Sequence, residues 1–485
     1  MSASTSQDQP QSAPTDRSQG RRISPHGNAL LKVLSVFAGD ETIPEALLLN
    51  GREAVELRSY PKSRAEYEEA VETLINDHLV TRQDIKEIHR EENEVDLASI
   101  TISPVIQKAI LSRLDDNELA EVYNAALVLV QAVWAPLDAS NFYRSRQMIS
   151  MAKYFPHVDS LRHLGQTNGL VNWRNAIPFV AILFRDAAWY TVYGEGDDIL
   201  SRGSSFLDLS TKAWSRPHLN HDVSDRISEN ELLDGIILAH LDNNSALASL
   251  DRCLRNITER IQNDRNSDAV NLLAAAHTQY GVAFMRAGKK RTALDEFRHA
   301  GTLMSKWYPQ AKSFQLPFPF AFPFPWVHRA LVLAHDGDLE GAWNEFRHGK
   351  FQRSMILGEG SDPIDAGIHH TCHATICALS KEYNTACEEL EIAISLQRRI
   401  LGAQSRWTMT TYYKLAVEKS RSLIEGESIK DQKPNNNPAR KRSRMVTLKL
   451  KRGKSASERP DASSQRSDAG GLPQAVNLLE NCIQF

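Results

Sequence analysis

In the stretch HHTCHATIC, His369, His373 and Cys377 stand at i, i+4 and i+8, one face of a helix. Imidazole nitrogen and thiolate sulfur are preferred zinc ligands, so this spacing raises a metal centre. No fourth ligand is evident, however. His370, His373, Ala374 and Cys377 also coincide with the packing slots of a helical repeat, which accounts for them without an ion. Hydrolytic chemistry has even less to stand on: the chain carries no G-x-S-x-G elbow and no H-E-x-x-H, and its carboxylates lie beside Lys and Arg as on solvated helix faces. Nor is there a G-x-x-x-x-G-K-[ST] phosphate cradle, since the GKS at Gly453–Ser455 has Leu448 where the first glycine belongs. These absences predict a non-catalytic chain with no cofactor and no bound metal.

The elements around these residues are predominantly helical. The chain of 485 residues is 41% hydrophobic and 24% charged, which is ordinary for a soluble globular protein and long for one hydrophobic core. Five cysteines without a CxxC pair read as reduced thiols. The polar N-terminus has no apolar signal region, and no run is long enough to span a bilayer. A protein without membrane contact is expected, cytoplasmic or, by way of its basic tail, nuclear.

Residues 1–25 are too poor in apolar side chains to offset chain entropy and read as disordered. Over 26–116, Leu30, Leu31, Leu34 and Phe37 recur at helical spacing, and an acidic-fronted amphipathic helix follows. LASITIS alternates as a strand does, and Pro104 opens another helix. This order predicts a small winged-helix-like α+β module. Residues 117–230 read as a helical linker with a degenerate repeat, residues 231–426 as repeats, and residues 427–485 as a disordered basic tail.

The repeat shows in HTQYGVAFMRAGKKRTALDEFRHAG. Gly281 and Phe284 lie on a first helix, and Ala293, Phe297 and Ala300 on a second, the spacing of a tetratricopeptide unit. Trp326 and Ala330, then Ala342 and Phe346, repeat it; Ala374, then Ala386 and Leu390, repeat it again. A weaker copy places Ala246, Leu250 and Cys253 earlier, and WTMTTYYKLAVEKSRSLIEG reads as a terminal cap. The fold class expected is therefore mostly all-α: a TPR-like α-solenoid behind the small module. QLPFPFAFPFPW reads as an extended strut that re-enters helix at Trp326.

LLKVLSVFAGDETIPEALL, LINDHLVTRQ, ITISPVIQKAILSRL, AVWAPLDA and YFPHVDSLRHL, in that order, resemble the region behind the nucleotide-binding domain of fungal NOD-like STAND proteins. In that family an NB-ARC-type ATPase precedes a winged helix and a tetratricopeptide array, and members act as signal-responsive switches. The resemblance implies a receptor's back half, stand-alone or truncated, serving an ATPase encoded separately. The family's IHR nucleotide sensor is replaced here by Ile102, Ser103 and Pro104, so nucleotide switching is not expected of this chain.

The partner expected is a protein or peptide in the repeat groove. First-helix residues beside the packing slots are its candidate lining: Thr278, Val282, Met285 and Arg286; Val327, Leu331 and His335; Thr371, Thr375 and Leu379. Mostly apolar and small, they suit an amphipathic helix or extended apolar segment; the alternative is that neighbouring repeats cover several of them. The rival function is a nucleic-acid-binding regulator using the winged helix and the tail. Arg440, Lys441, Arg442 and Arg444 open a basic run that suits nuclear import, nucleic-acid contact or plain solubility. The helix from Pro104 offers only Lys108 and Arg113 before turning acidic, which is too little for phosphate-driven affinity.

Overall fold

The computed structural model describes residues 23–83, 98–134, 144–169, 177–193, 196–215, 223–241, 244–263, 267–307, 324–357 and 363–431. The expected disordered N-terminus, the basic tail with Arg440, Lys441, Arg442 and Arg444, and most of the Phe-Pro strut lie outside them. The chain divides into two compact units: 1–136, 150–187 and 205–220 form the first, and 137–149, 188–204 and 221–485 the second.

The first unit opens with α1 (Pro25–Leu34), β1 (Ile43–Pro44), α2 (Glu45–Leu49), α3 (Arg64–Asn76), β2 (Val80–Gln83), β3 (Ser99–Ile102), α4 (Pro104–Leu111) and α5 (Asp116–Val133). Ser24 caps α1 by accepting from the Gly27 amide at 3.0 Å, and Ser63 and Glu66 form a capping box at α3. In α3, Tyr67, Ala70, Val71 and Leu74 make the buried stripe, spaced as one helix face requires. β3 is the centre of a three-stranded antiparallel sheet, with Ile100 opposite Ile43 and Ile102 opposite Val80. Buried Gln107 donates to the carbonyls of Leu34 at 3.1 Å and Phe37 at 3.0 Å, satisfying acceptors just where α1 ends. Arg82 ties the sheet to both helices, donating to Glu68 of α3 at 2.7 Å and to buried Glu45 of α2 at 2.8 Å.

Three helices continue the chain, α6 (Arg144–Thr167), α7 (Ile177–Tyr193) and α8 (Gly196–Trp214), and residues of each fall in both units. The second unit then stacks helical hairpins: α9 (Ser224–His240) with α10 (Ser245–Asn263), α11 (Ser267–Arg286) with α12 (Lys290–Trp307), α13 (Phe324–His335) with α14 (Leu339–Leu357), and α15 (Pro363–Leu379) with α16 (Tyr383–Leu401). α17 (Arg406–Asp431) packs on α16. Described residues outside the small sheet are helices and their connections, so the α-solenoid with a small α+β module is the observed architecture.

Each hairpin closes on a small residue facing a large one. A Cβ on Gly235 would stand 2.5 Å from Leu250, and one on Gly281 would stand 2.6 Å from the Phe297 ring. Ala330 clusters with Phe346, and Ala374 with Leu390, at the matching places. Ala293, Ala300, Trp326, Ala342 and Ala386 are buried as well, whereas Phe284 is half-buried against the Tyr280 ring. α13 begins at Phe324, two residues before the start expected at Trp326. Pro325 falls in its first turn, where a missing N–H breaks no intrahelical bond.

The turn between the two helices of a hairpin also repeats. The amides of Lys289, Asp338 and Glu382 donate to the carbonyls of Phe284, Leu333 and Cys377 at 2.8, 2.9 and 2.8 Å. The residue before each has positive φ: Gly288 at 73°, Gly337 at 87° and Lys381 at 64°.

Candidate functional site

The groove predicted from the repeat spacing is not an open surface. Thr278, Val282, Met285, Val327 and Leu331 are buried, which corrects their assignment as ligand-facing residues. Val327 and Leu331 belong to the core cluster around Phe346, and Val282 and Met285 to the one around Phe297. They lie beside the packing slots, yet first helices pack on one another as well as on their own second helices, so those flanking positions are enclosed too.

Arg286, His335, Thr371, Thr375 and Leu379 are half-buried. Thr371 and Thr375 spend their hydroxyls on Gly367 O and Thr371 O, both at 2.9 Å. Arg286 turns to the end of α9, where it donates to the Ala239 carbonyl and approaches His240 Nδ1 at 3.3 Å. The negative end of a helix dipole is a favourable place for that guanidinium.

α17 supplies what the sequence reading missed on this first-helix side. Arg406 donates to His240 O at 3.0 Å, a second guanidinium on the same helix end. Trp407 donates from Nε1 to Val192 O at 3.0 Å, stacks on Tyr193 at 5.9 Å between centroids and meets His240 edge-on at 6.0 Å. Thr411 bonds Gln397 of α16 at 2.8 Å, and Leu415 packs on the cluster of Ala374, Cys377 and Leu390. Lys414 lies close enough to act on His335 of α13 and Cys372 of α15. Burial pushes the Cys372 thiol up to about 11 and holds the Lys414 ammonium below its ordinary range. His335 is lowered by burial first and then by Lys290 and Lys414. The first half of α17 therefore binds the C-terminal ends of α7 and α9 and reaches α13, α15 and α16. Its place as a terminal capping helix is legible in the sequence, but its long-range partners are not.

The metal candidate considered at HHTCHATIC is taken up by packing. His369 faces the Phe346 ring at 4.5 Å, and His373 pairs with Glu389 at 3.0 Å. Cys377 is fully buried among alanines, where burial raises its thiol to about 12 and disfavours the thiolate a metal needs.

α3 carries Glu66, Glu68, Glu69 and Glu72 against the single cation Arg64, so its charge opposes phosphate. No helix among the described residues is long and apolar enough to cross a membrane.

Residues 19–119 match the model of a family described as a domain of unknown function, DUF7779. No curated protein matches the chain. Among solved structures it is similar to that of a Signal Transduction ATPase with Numerous Domains (STAND) protein with a tetratricopeptide repeat sensor from Pyrococcus horikoshii. The identity is 13% and the TM-score 0.34; the match covers 85% of this chain and spans 57% of the length of that one.

Proposed function

We propose that this chain is a non-catalytic protein-interaction scaffold whose first-helix side accepts an amphipathic helix. α17 is the occupant here, and a partner's helix is the alternative one. The observation that carries the reading is the pair of bonds from Arg406 and Trp407 to His240 O and Val192 O, made across 166 and 215 residues of sequence. Helix-in-groove recognition works through such spaced aromatic and apolar anchors. A tethered occupant acts at an effective concentration on the order of millimolar, so a partner must compete with it.

The test uses a labelled peptide of residues 403–425 added to the full chain and to the Arg406→Ala/Trp407→Ala/Leu415→Ala variant. Loosening the resident helix should tighten peptide binding by about tenfold or more, up to the tethering advantage. Equal binding to both chains, or no binding to a variant that keeps its helical circular dichroism, refutes the proposal.

The motif order over residues 28–425 supports a finer reading, in which the array is the sensing half of a STAND-type switch and an NB-ARC-type ATPase is a separate partner. By that reading the chain alone binds no nucleotide. Saturable binding of a fluorescent ATP analogue to the purified chain contradicts it.

A further inference from the structure

Three successive hairpins repeat one polar contact. Glu296, Glu345 and Glu389 each stand three residues after the buried alanines Ala293, Ala342 and Ala386. Each meets nitrogen from the first helix: His277 Nδ1 at 2.6 Å, Arg329 at 2.8 Å, and His370 and His373 at 2.5 and 3.0 Å. As a pair across a hairpin, this contact fixes the register of the two helices. The first hairpin holds something more. His299, one turn beyond Glu296 on α12, brings a second imidazole toward His277 with ring centroids 5.5 Å apart. One ligand atom from each of His277, Glu296 and His299 lies within 4.8 Å of the others.

We propose that His277, Glu296 and His299 form a divalent transition-metal site between α11 and α12, with zinc the ion best suited to two imidazole nitrogens and one carboxylate oxygen. Three protein ligands with water in the fourth position make a tetrahedral shell open on one side. Bonds of about 2.0–2.1 Å place the donor atoms of such a shell about 3.3 Å apart. His277 and Glu296 must separate slightly from 2.6 Å, and the exposed His299 closes by rotating its side chain. A Glu-x-x-His pair on one helix with a further ligand on the facing helix is an arrangement that helical bundles use for metals.

The neighbouring hairpins are internal controls. The second keeps Glu345 and His348 at the same spacing but has Trp326 where the first has His277. Arg329 neutralises its carboxylate, and the Trp326 ring meets His348 at 5.4 Å. In the third, Ile392 stands in place of His299, and two histidines engage opposite oxygens of Glu389.

The experiment titrates the metal-stripped full chain with Zn²⁺ by calorimetry, and with Co²⁺ by visible absorbance, at pH 7.5. A saturable equivalent is expected that His299→Ala weakens by at least about tenfold, while His348→Ala and His373→Ala leave it unchanged. Zn²⁺ should raise the melting temperature of the native chain and not that of His299→Ala, whose melting in chelator should match the native chain's. Affinity should fall as pH is lowered, because metal binding needs deprotonated ligands. Absence of saturable binding, native affinity in His299→Ala, or loss only in His373→Ala overturns the proposal.

Discussion

Gly281→Ala tests the packing rule on which the repeat array rests. The added Cβ would sit 2.6, 2.8 and 3.0 Å from three atoms of the Phe297 ring, which is fully buried and has no solvent to swing into. Overpacking of this kind costs about 1–3 kcal/mol. Removing a glycine from a helix interior returns about 1 kcal/mol of propensity, so the net is a destabilisation of about 1 kcal/mol. Phe297→Leu alone opens a void and costs about 1–2 kcal/mol, less than full truncation to alanine. Together the two substitutions recreate the alanine–leucine pair that the third hairpin already uses at Ala374 and Leu390. The double variant should then be more stable than the sum of the single effects by about 1–2 kcal/mol. Urea unfolding followed by circular dichroism measures all four corners of this cycle, with hydrogen exchange over α11 and α12 locating the change if hairpins unfold separately. Additivity within about 0.3 kcal/mol, or a Gly281→Ala chain stabilised by the full propensity gain, would show that small-to-large contact does not set the distance between these helices.

Further outcomes follow from single contacts. Lys381 holds φ of 64° at a turn where the other two repeats have Gly288 and Gly337, so Lys381→Gly should raise stability by about 1 kcal/mol and Gly288→Ala lower it similarly, both read by urea midpoint. Arg82→Ala leaves Glu45, buried to 2% exposure, without its counter-charge, and should cost about 3 kcal/mol in thermal or urea melts; adding Glu45→Gln should restore part of it. His157 is fully buried beside Phe37, and burial lowers its pKa from 6.5 to about 4 against the opposing pull of the Thr42 backbone and Asp40. Its folded value lies below its unfolded one, so its contribution is complete above pH 6.5 and is lost as pH falls toward 4. The slope in that window is about 1.4 kcal/mol per pH unit, and His157→Leu should remove it from urea titrations at pH 5 and 7.

What the sequence made legible was short-range and periodic. Ile100 and Ile102 alternate because one face of β3 is core, and Ser103–Pro104 marks the start of α4 because cap and proline act within one turn. Gly281, Ala330 and Ala374 announce the hairpins because each faces a ring or branched chain sixteen residues on. β1 escaped notice: two residues, Ile43 and Pro44, have no period, and only pairing with β3 makes them a strand. Periodicity leaves the groove lining open for a related reason. Spacing tells which residues lie on a helix face, not which other helix covers that face, and Val327 and Leu331 are covered. His277, Glu296 and His299 were likewise invisible as a set, since their meeting depends on how α11 folds back against α12.

The hold of α17 is uneven along its length, and this bears on whether another helix can replace it. Its first turns carry Trp407, which meets two rings and a carbonyl, together with the buried Ser405 and Thr408. Its later turns are held by Lys419 to Glu391 at 2.7 Å and Ser422 to Asn384 at 2.9 Å, exposed contacts that solvent screens and competes for. Leu423 and Ile424, 70% and 69% exposed, contribute little burial. Opening should therefore begin at the C-terminal end and stop near Leu415, which packs on the cluster of Ala374, Cys377 and Leu390. A competing helix gains most by supplying an indole and a guanidinium for Val192 O and His240 O, because those two acceptors are what the resident helix gives up last.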